Sequence, residues 1–190
     1  MVRSKGIEID SFYLPPFELD AGDIVIIQLP NGPYYSGLLF KLADILTGTE
    51  KNDNVELTTD LKFANHLIET GWRSVFRPLT VERYIERTGN PTSELTQMIY
   101  ESKYIEPKTR ISRLAGNPRK LLSVLTTLSW TDKIIFDLAG VDPVGGQEIF
   151  SLVKGQIGKS GAAILIDWCD DFKDDCTRLI KFEQRERGEN

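Results

Sequence analysis

The chain has 190 residues, 41% hydrophobic and 27% charged, with a formal net charge of −5; this balance fits one globular domain able to bury a good core. The acidic balance gives no sign of nucleic-acid binding, no apolar run approaches the roughly 18 residues that span a bilayer, and MVRSKGIEID lacks the apolar core of a signal peptide. Two cysteines, Cys169 and Cys176, are too few for a disulfide framework and lack zinc-site partners, so a cytoplasmic location is expected.

Residues 7 to 18 alternate weakly and are broken by Pro15-Pro16, which suits an edge strand. After the turn Ala21-Gly22-Asp23, the β-branched run Ile24 to Ile27 predicts a buried strand. A loop from Leu29 to Gly37 leads into an apolar-periodic helix over Leu38 to Leu46, which Gly48 ends. Val55 to Thr58 reads as a short exposed strand. Asp60 is placed to cap a helix running to about Glu69, with Leu61, Ala64, Leu67 and Ile68 as its apolar stripe. His66, the only histidine, sits on that helix as a surface or boundary residue.

Residues 82 to 108 read as two short helices split at Gly89-Asn90-Pro91, the second over roughly Ser93 to Ser102. Asn117 caps and Pro118 begins a helix that runs through Leu128. The apolar run Ile134-Ile135-Phe136 predicts a buried strand that delivers Asp137 at its C-terminal end. Asp142 then caps an amphipathic helix whose first position is Pro143. Gly155 to Gly161 reads as a turn region, Ala162 to Ile166 as a buried strand and Cys169 to Cys176 as an acidic helical turn. Arg178 to Phe182 makes a final strand, and residues 184 to 190 a frayed tail. A carboxylate at the end of a buried strand is where α/β sheets hold ligands.

Gly140-Val141-Asp142-Pro143-Val144-Gly145, with Glu148-Ile149-Phe150 behind it, resembles the Walker B and D-loop region of ABC-transporter ATPase subunits. Ala21-Gly22-Asp23 before a strand and Pro30-Asn31-Gly32 in the loop resemble the same family's Walker A segment. Leu79-Thr80-Val81 with Glu82 echoes the phrase beyond its Q-loop, Leu114 to Pro118 stands where its LSGGQ signature stands, and Cys176-Thr177-Arg178 is again similar. The resemblance covers nearly the whole chain in the right order. It implies an α/β, P-loop NTPase-like (ABC ATPase-like) mixed sheet flanked by helices. That fold would form a single domain over 1–190, with a reduced helical subdomain at about 82–116.

The departures from the family pattern carry as much information. A working phosphate loop needs GxxxxGK[ST], and here Leu29 replaces the first glycine, Tyr34 the second and Tyr35 the lysine, while Ser36 keeps the hydroxyl. There is no glutamine between Gln28 and Gln97 to serve the Q-loop. Ala115 and Asn117 replace the signature serine and second glycine, Leu138 the catalytic glutamate, and Asp167-Trp168 stand where the switch histidine would follow its strand. The resemblance with these losses implies a catalytically inactive subunit of a membrane transport complex. Its partners would be an ABC permease, a catalytic ABC ATPase subunit, or both, with dimerisation possible and membrane contact only through partners at the inner face. Asn31, Gly32, Tyr34, Tyr35, Ser36 and Asp137 mark the nucleotide site, expected to be empty; no cofactor and no metal are expected, and Trp72, Phe76, Arg77 and Asp142 are the candidate partner contacts. One alternative is a subunit that binds nucleotide through Asn31, Gly32 and Ser36 without hydrolysing it. Another is a metal-dependent enzyme built on Asp167, Asp170, Asp171, Asp174 and Asp175.

Overall fold

The computed structural model describes residues 1–65, 67, 79–101 and 105–185. Four three-residue strands open the chain: β1 (Val2–Ser4), β2 (Ile7–Ile9), β3 (Phe12–Leu14) and β4 (Phe17–Leu19). In each, the first and last side chains are buried and the middle one turns toward solvent, the period-2 pattern of strands with one covered face. The weak alternation of residues 7 to 18 thus resolves into three strands, with Pro15-Pro16 between two of them, and β1 is a strand the sequence reading did not expect.

β5 (Ile24–Gln28) is different: its first four residues are all buried, as in a parallel strand covered on both faces. α1 (Tyr35–Leu46) follows, and Gly48, at φ 75°, lies just beyond it. β6 (Val55–Leu57) pairs antiparallel with β1, which also pairs with β4. β7 (Lys62–Phe63) then enters the main sheet, parallel to the strand ending in Phe136. This corrects the helix expected from Asp60. Leu61 and Ala64 are core residues as anticipated, but backbone pairing with a neighbouring strand, a tertiary contact, sets their conformation. Ile68 and Glu69, like His66, lie outside the described residues.

The helical insert consists of α2 (Val81–Thr88), capped by the Thr80 hydroxyl on the Arg83 amide, and α3 (Glu94–Glu101). α4 (Gly116–Leu128) packs behind it. β8 (Lys133–Phe136), α5 (Pro143–Ile157), β9 (Ala162–Asp167), β10 (Arg178–Lys181) and β11 (Glu183–Gln184) complete the described chain. α5 runs through Gly155, so the turn begins only at Gly158. The Cys169 to Cys176 segment forms a series of turns rather than a regular helix. β11 pairs with β3, which places Glu183 and Gln184 in a sheet.

The main sheet is entirely parallel, in the order β10-β5-β9-β8-β7. Alternate residues of its three central strands feed two cores. Ile24, Ile26, Ile134, Phe136, Ala163 and Leu165 face α4, α5 and the helical insert, whereas Val25, Ile27, Ile135, Ile164 and Ile166 face α1 and the small antiparallel strands. All the C-terminal strand ends therefore open along one edge, which is where an open α/β sheet holds a ligand.

Candidate functional site

Three strand ends build this edge. β5 and β9 are in register at Gln28 and Asp167, and the Leu29 amide donates to the Asp167 carbonyl at 2.8 Å. The loop after β5 turns at Gly32, whose φ of 120° suits glycine. Its amino-acid side chains part company at the helix start. Asn31, Gly32, Pro33 and Ser36 are exposed. Tyr34 is 60% exposed and rests its ring on Phe12, with 5.5 Å between centroids. Tyr35 instead turns inward: its hydroxyl is buried with no hydrogen-bond partner among the described residues. Burial first, and then the negative charges of Asp167 and Asp137, push its ionisation far above the ordinary phenol range. Tyr35 therefore turns into the strand-end edge, and its neighbour Tyr34 turns out of it.

Asp137, at the end of β8, is 1% exposed. Both its oxygens are occupied: Oδ2 accepts from Lys120 Nζ at 2.8 Å, and Oδ1 from the Ala139 amide at 2.9 Å. Lys120 lies in α4 with no exposed surface at all. A buried carboxylate left alone would carry a large desolvation cost, and a buried ammonium likewise; each is tolerable here because the other is present. Asp167, 3% exposed, is held by the Trp168 amide at 2.6 Å. Burial raises its carboxyl above the ordinary range, outweighing the backbone amides of Trp168 and Cys169 that pull the other way. Trp168 itself stands 49% exposed beside it.

Lys120 is the site residue that sequence reading missed. A signal was present: Lys120, Val124 and Leu128 fall four residues apart, so the lysine sits on the buried stripe of its own helix. A lone cation there calls for a buried anion, and Asp137 is the acid that ends an otherwise apolar strand.

The N-termini of α4 and α5 interlock next to this core. Asp142 caps α5 as expected, Oδ1 accepting from the Gly145 amide at 2.8 Å. Its Oδ2 accepts from Asn117 Nδ2 at 2.7 Å, while its own amide donates to Asn117 Oδ1 at 3.0 Å. These contacts hold its carboxyl below the ordinary range, the Gly145 amide contributing most. Asn117 is thus not the cap of α4. Ala115 holds that position, with no side-chain bond, and Asn117 spends both ends of its amide on Asp142. Two glycines make this approach possible. A Cβ at Gly116 would lie 1.8 Å from the Gly140 carbonyl oxygen, and one at Gly145 would lie 2.4 Å from the Asn117 amide. Outside the junction lies a cavity of about 470 Å³, bordered by Arg113, Leu114, Pro118, Leu121, Val144 and Glu148.

Trp72, Phe76 and Arg77 fall outside the described residues. The acidic run does not form a metal centre. Asp167 is buried at its strand end, Asp175 pairs with Lys154 at 2.9 Å, and Asp170 lies 3.9 Å from Lys173. Among the described residues no three acidic, histidine or cysteine side chains converge as metal ligands. The metal-enzyme expectation is corrected accordingly, because Asp167 is buried at the end of β9 while the acids of the following turns meet lysines or solvent. Among the described residues no helix is long and apolar enough to cross a membrane.

No family model matches the chain, and no curated protein does. Solved structures do. The nucleotide-free ATP-binding cassette of an ABC transporter aligns at TM-score 0.66 and 18% identity, over 95% of this chain and 87% of the other. A Pyrococcus furiosus protein assigned as the ATP-binding protein of an ABC transporter aligns at TM-score 0.70 and 12% identity, over 95% and 96%. A dimeric bacterial ABC transporter cassette aligns at TM-score 0.60 and 13% identity, over 98% and 99%. At such identities the likeness is one of fold: this chain has the mixed α/β fold of ABC ATPase cassettes, along almost its full length.

Proposed function

We propose that this chain is a catalytically inactive ABC ATPase-like subunit, a structural or regulatory component of a membrane transport complex that docks a permease, a catalytic ATPase subunit, or both. The observation that carries the reading is Tyr35. At the position where a P-loop has its lysine, a neutral ring enters the site, and its buried hydroxyl has no partner among the described groups. An ammonium there would meet phosphate charge; a phenol offers none, and its ring takes up space. Asp137, which in P-loop ATPases helps to hold Mg²⁺, has both oxygens engaged by the chain itself. The residues present therefore do not fit a magnesium nucleotide.

Catalytic groups are missing as well. Leu138 follows Asp137, and Asp167 ends β9 with Trp168 after it. Loss of a single general base typically lowers a rate by about 10²–10⁴-fold, and loss of one charge-stabilising donor by about 10²–10³-fold. What remains is a folded edge with exposed Tyr34, Val144 and Trp168 and the groove beside Asp142, surfaces suited to a protein partner. The dimeric state of one cassette of similar fold supports pairing with a second ATPase-like chain. A second reading, nucleotide held without hydrolysis, has one observation in its favour: Asn31, Gly32 and Ser36 are all exposed.

The test is ATP turnover by the purified chain, and by the chain carrying Leu138→Glu, each alone and with membranes that contain transport partners. Neither alone should exceed the uncatalysed rate, and with membranes neither should hydrolyse ATP beyond what the partners' own catalytic subunits account for. The chain should sediment with those membranes and stay in the supernatant with protein-free lipid vesicles. Turnover by the natural chain would refute the reading.

A further inference from the structure

We infer that Lys120 is a built-in counter-cation: its ammonium neutralises Asp137, the strand-end acid at the position that helps to hold a divalent metal in P-loop ATPases, and so disfavours metal at this site. The inference rests on the reading above and goes further, naming the group that fills the site. The geometry is specific. Lys120 Nζ lies 2.8 Å from Asp137 Oδ2, a short charge-assisted bond. Lys120 is fully buried, so water does not share its charge.

One ammonium balances one carboxylate. The Ala139 amide takes the other oxygen at 2.9 Å, so each Asp137 oxygen already accepts one bond from the chain itself. The neighbouring acid, Asp167, is 3% exposed, and its Oδ1 accepts from the Trp168 amide at 2.6 Å. A Mg²⁺ ion entering here would either place two positive centres in contact or expel an ammonium from a position without exposed surface. Both are strongly unfavourable where water does not screen charge. The same bond ties α4 to the end of β8.

The experiment uses the full chain, with Mn²⁺ binding read by electron paramagnetic resonance and melting temperature read with and without MgCl₂. The natural chain should retain no Mn²⁺ at millimolar concentration, and its melting temperature should not move with Mg²⁺. Lys120→Met should melt at lower temperature, acquire Mn²⁺ binding, and recover part of its lost melting temperature in Mg²⁺. Lys120→Met with Asp137→Leu should lose both responses. Mn²⁺ binding by the natural chain that Asp137→Asn abolishes would overturn the inference. So would a folded Lys120→Met variant that takes up no more Mn²⁺ than the natural chain. Should Lys120→Met fail to fold, ¹⁵Nζ spectra of the natural chain decide the matter: a protected Lys120 ammonium signal, unmoved by Mg²⁺, supports the inference, and one that Mg²⁺ shifts or removes contradicts it. Metal binding without ATP turnover would sink this inference alone, whereas turnover would sink the functional reading.

Discussion

Tyr35 gives the sharpest stability prediction, because its ring and its hydroxyl act in opposite directions. The ring fills space at the strand ends, packed against the apolar cluster beneath α1. The hydroxyl is buried without a partner among the described residues, and an unsatisfied buried hydroxyl costs about 1–3 kcal/mol. Tyr35→Phe removes that cost, keeps the ring and leaves a gap of one oxygen atom, so a net stabilisation of about 1 kcal/mol is expected. In a chain of this size that corresponds to a rise of about 2–4 °C in melting temperature. Tyr35→Ala should do the reverse, since truncating a buried aromatic costs about 3–5 kcal/mol; the ring is only half-buried, which places the loss at the lower end. Urea unfolding at pH 7 gives both numbers, and an unchanged slope would show that the unfolded state is not involved. A loss of stability in Tyr35→Phe would refute the reasoning, because it would mean that the hydroxyl serves one of the two carboxylates.

Two further predictions concern packing and pH. Gly116→Ala should destabilise the chain by about 3 kcal/mol or more, the upper range for overpacking, because its Cβ would collide with the Gly140 carbonyl. Gly155→Ala, inside α5 with open space around it, should instead stabilise by about 0.5–1 kcal/mol; urea midpoints separate the two. The Asp132 carboxyl is held below its ordinary range by Lys133 first and Ser160 second. Its stabilisation is therefore fully present above the unfolded value near 4 and is lost as pH falls through the lower folded value. Asp132→Asn should lose less stability between pH 6 and pH 3 than the natural chain, read from urea midpoints at each pH.

How far the sequence disclosed this molecule depends on where each signal came from. β5, β8 and β9 were legible because a run of β-branched residues is buried on both faces, and the Asp142-Pro143 cap because it is purely local. The Lys62–Phe63 strand was not. Asp60 with Leu61 and Ala64 satisfies a helical pattern equally well, and only the pairing with β8 decides. Asn117 was misread for a related reason. Its position before Pro118 suggests a cap, yet its amide is claimed by Asp142, 25 residues away. The inward turn of Tyr35 and the outward turn of Tyr34 are set by the first turn of α1 and by Phe12, neither of which adjacent identical residues reveal. The Lys120–Asp137 pair spans 17 residues and two elements, and only its two halves, a cation on one apolar stripe and an anion at the end of another, were visible in the chain.

The central claim is that this cassette fold has left nucleotide work, and calorimetric titration with Mg-ATP tests it most directly. The natural chain should give no binding heat up to millimolar ATP, while Tyr34→Gly combined with Tyr35→Lys, which restores the loop's glycine and ammonium, should gain binding. Micromolar binding by the natural chain would contradict the account and make it a nucleotide-sensing subunit instead.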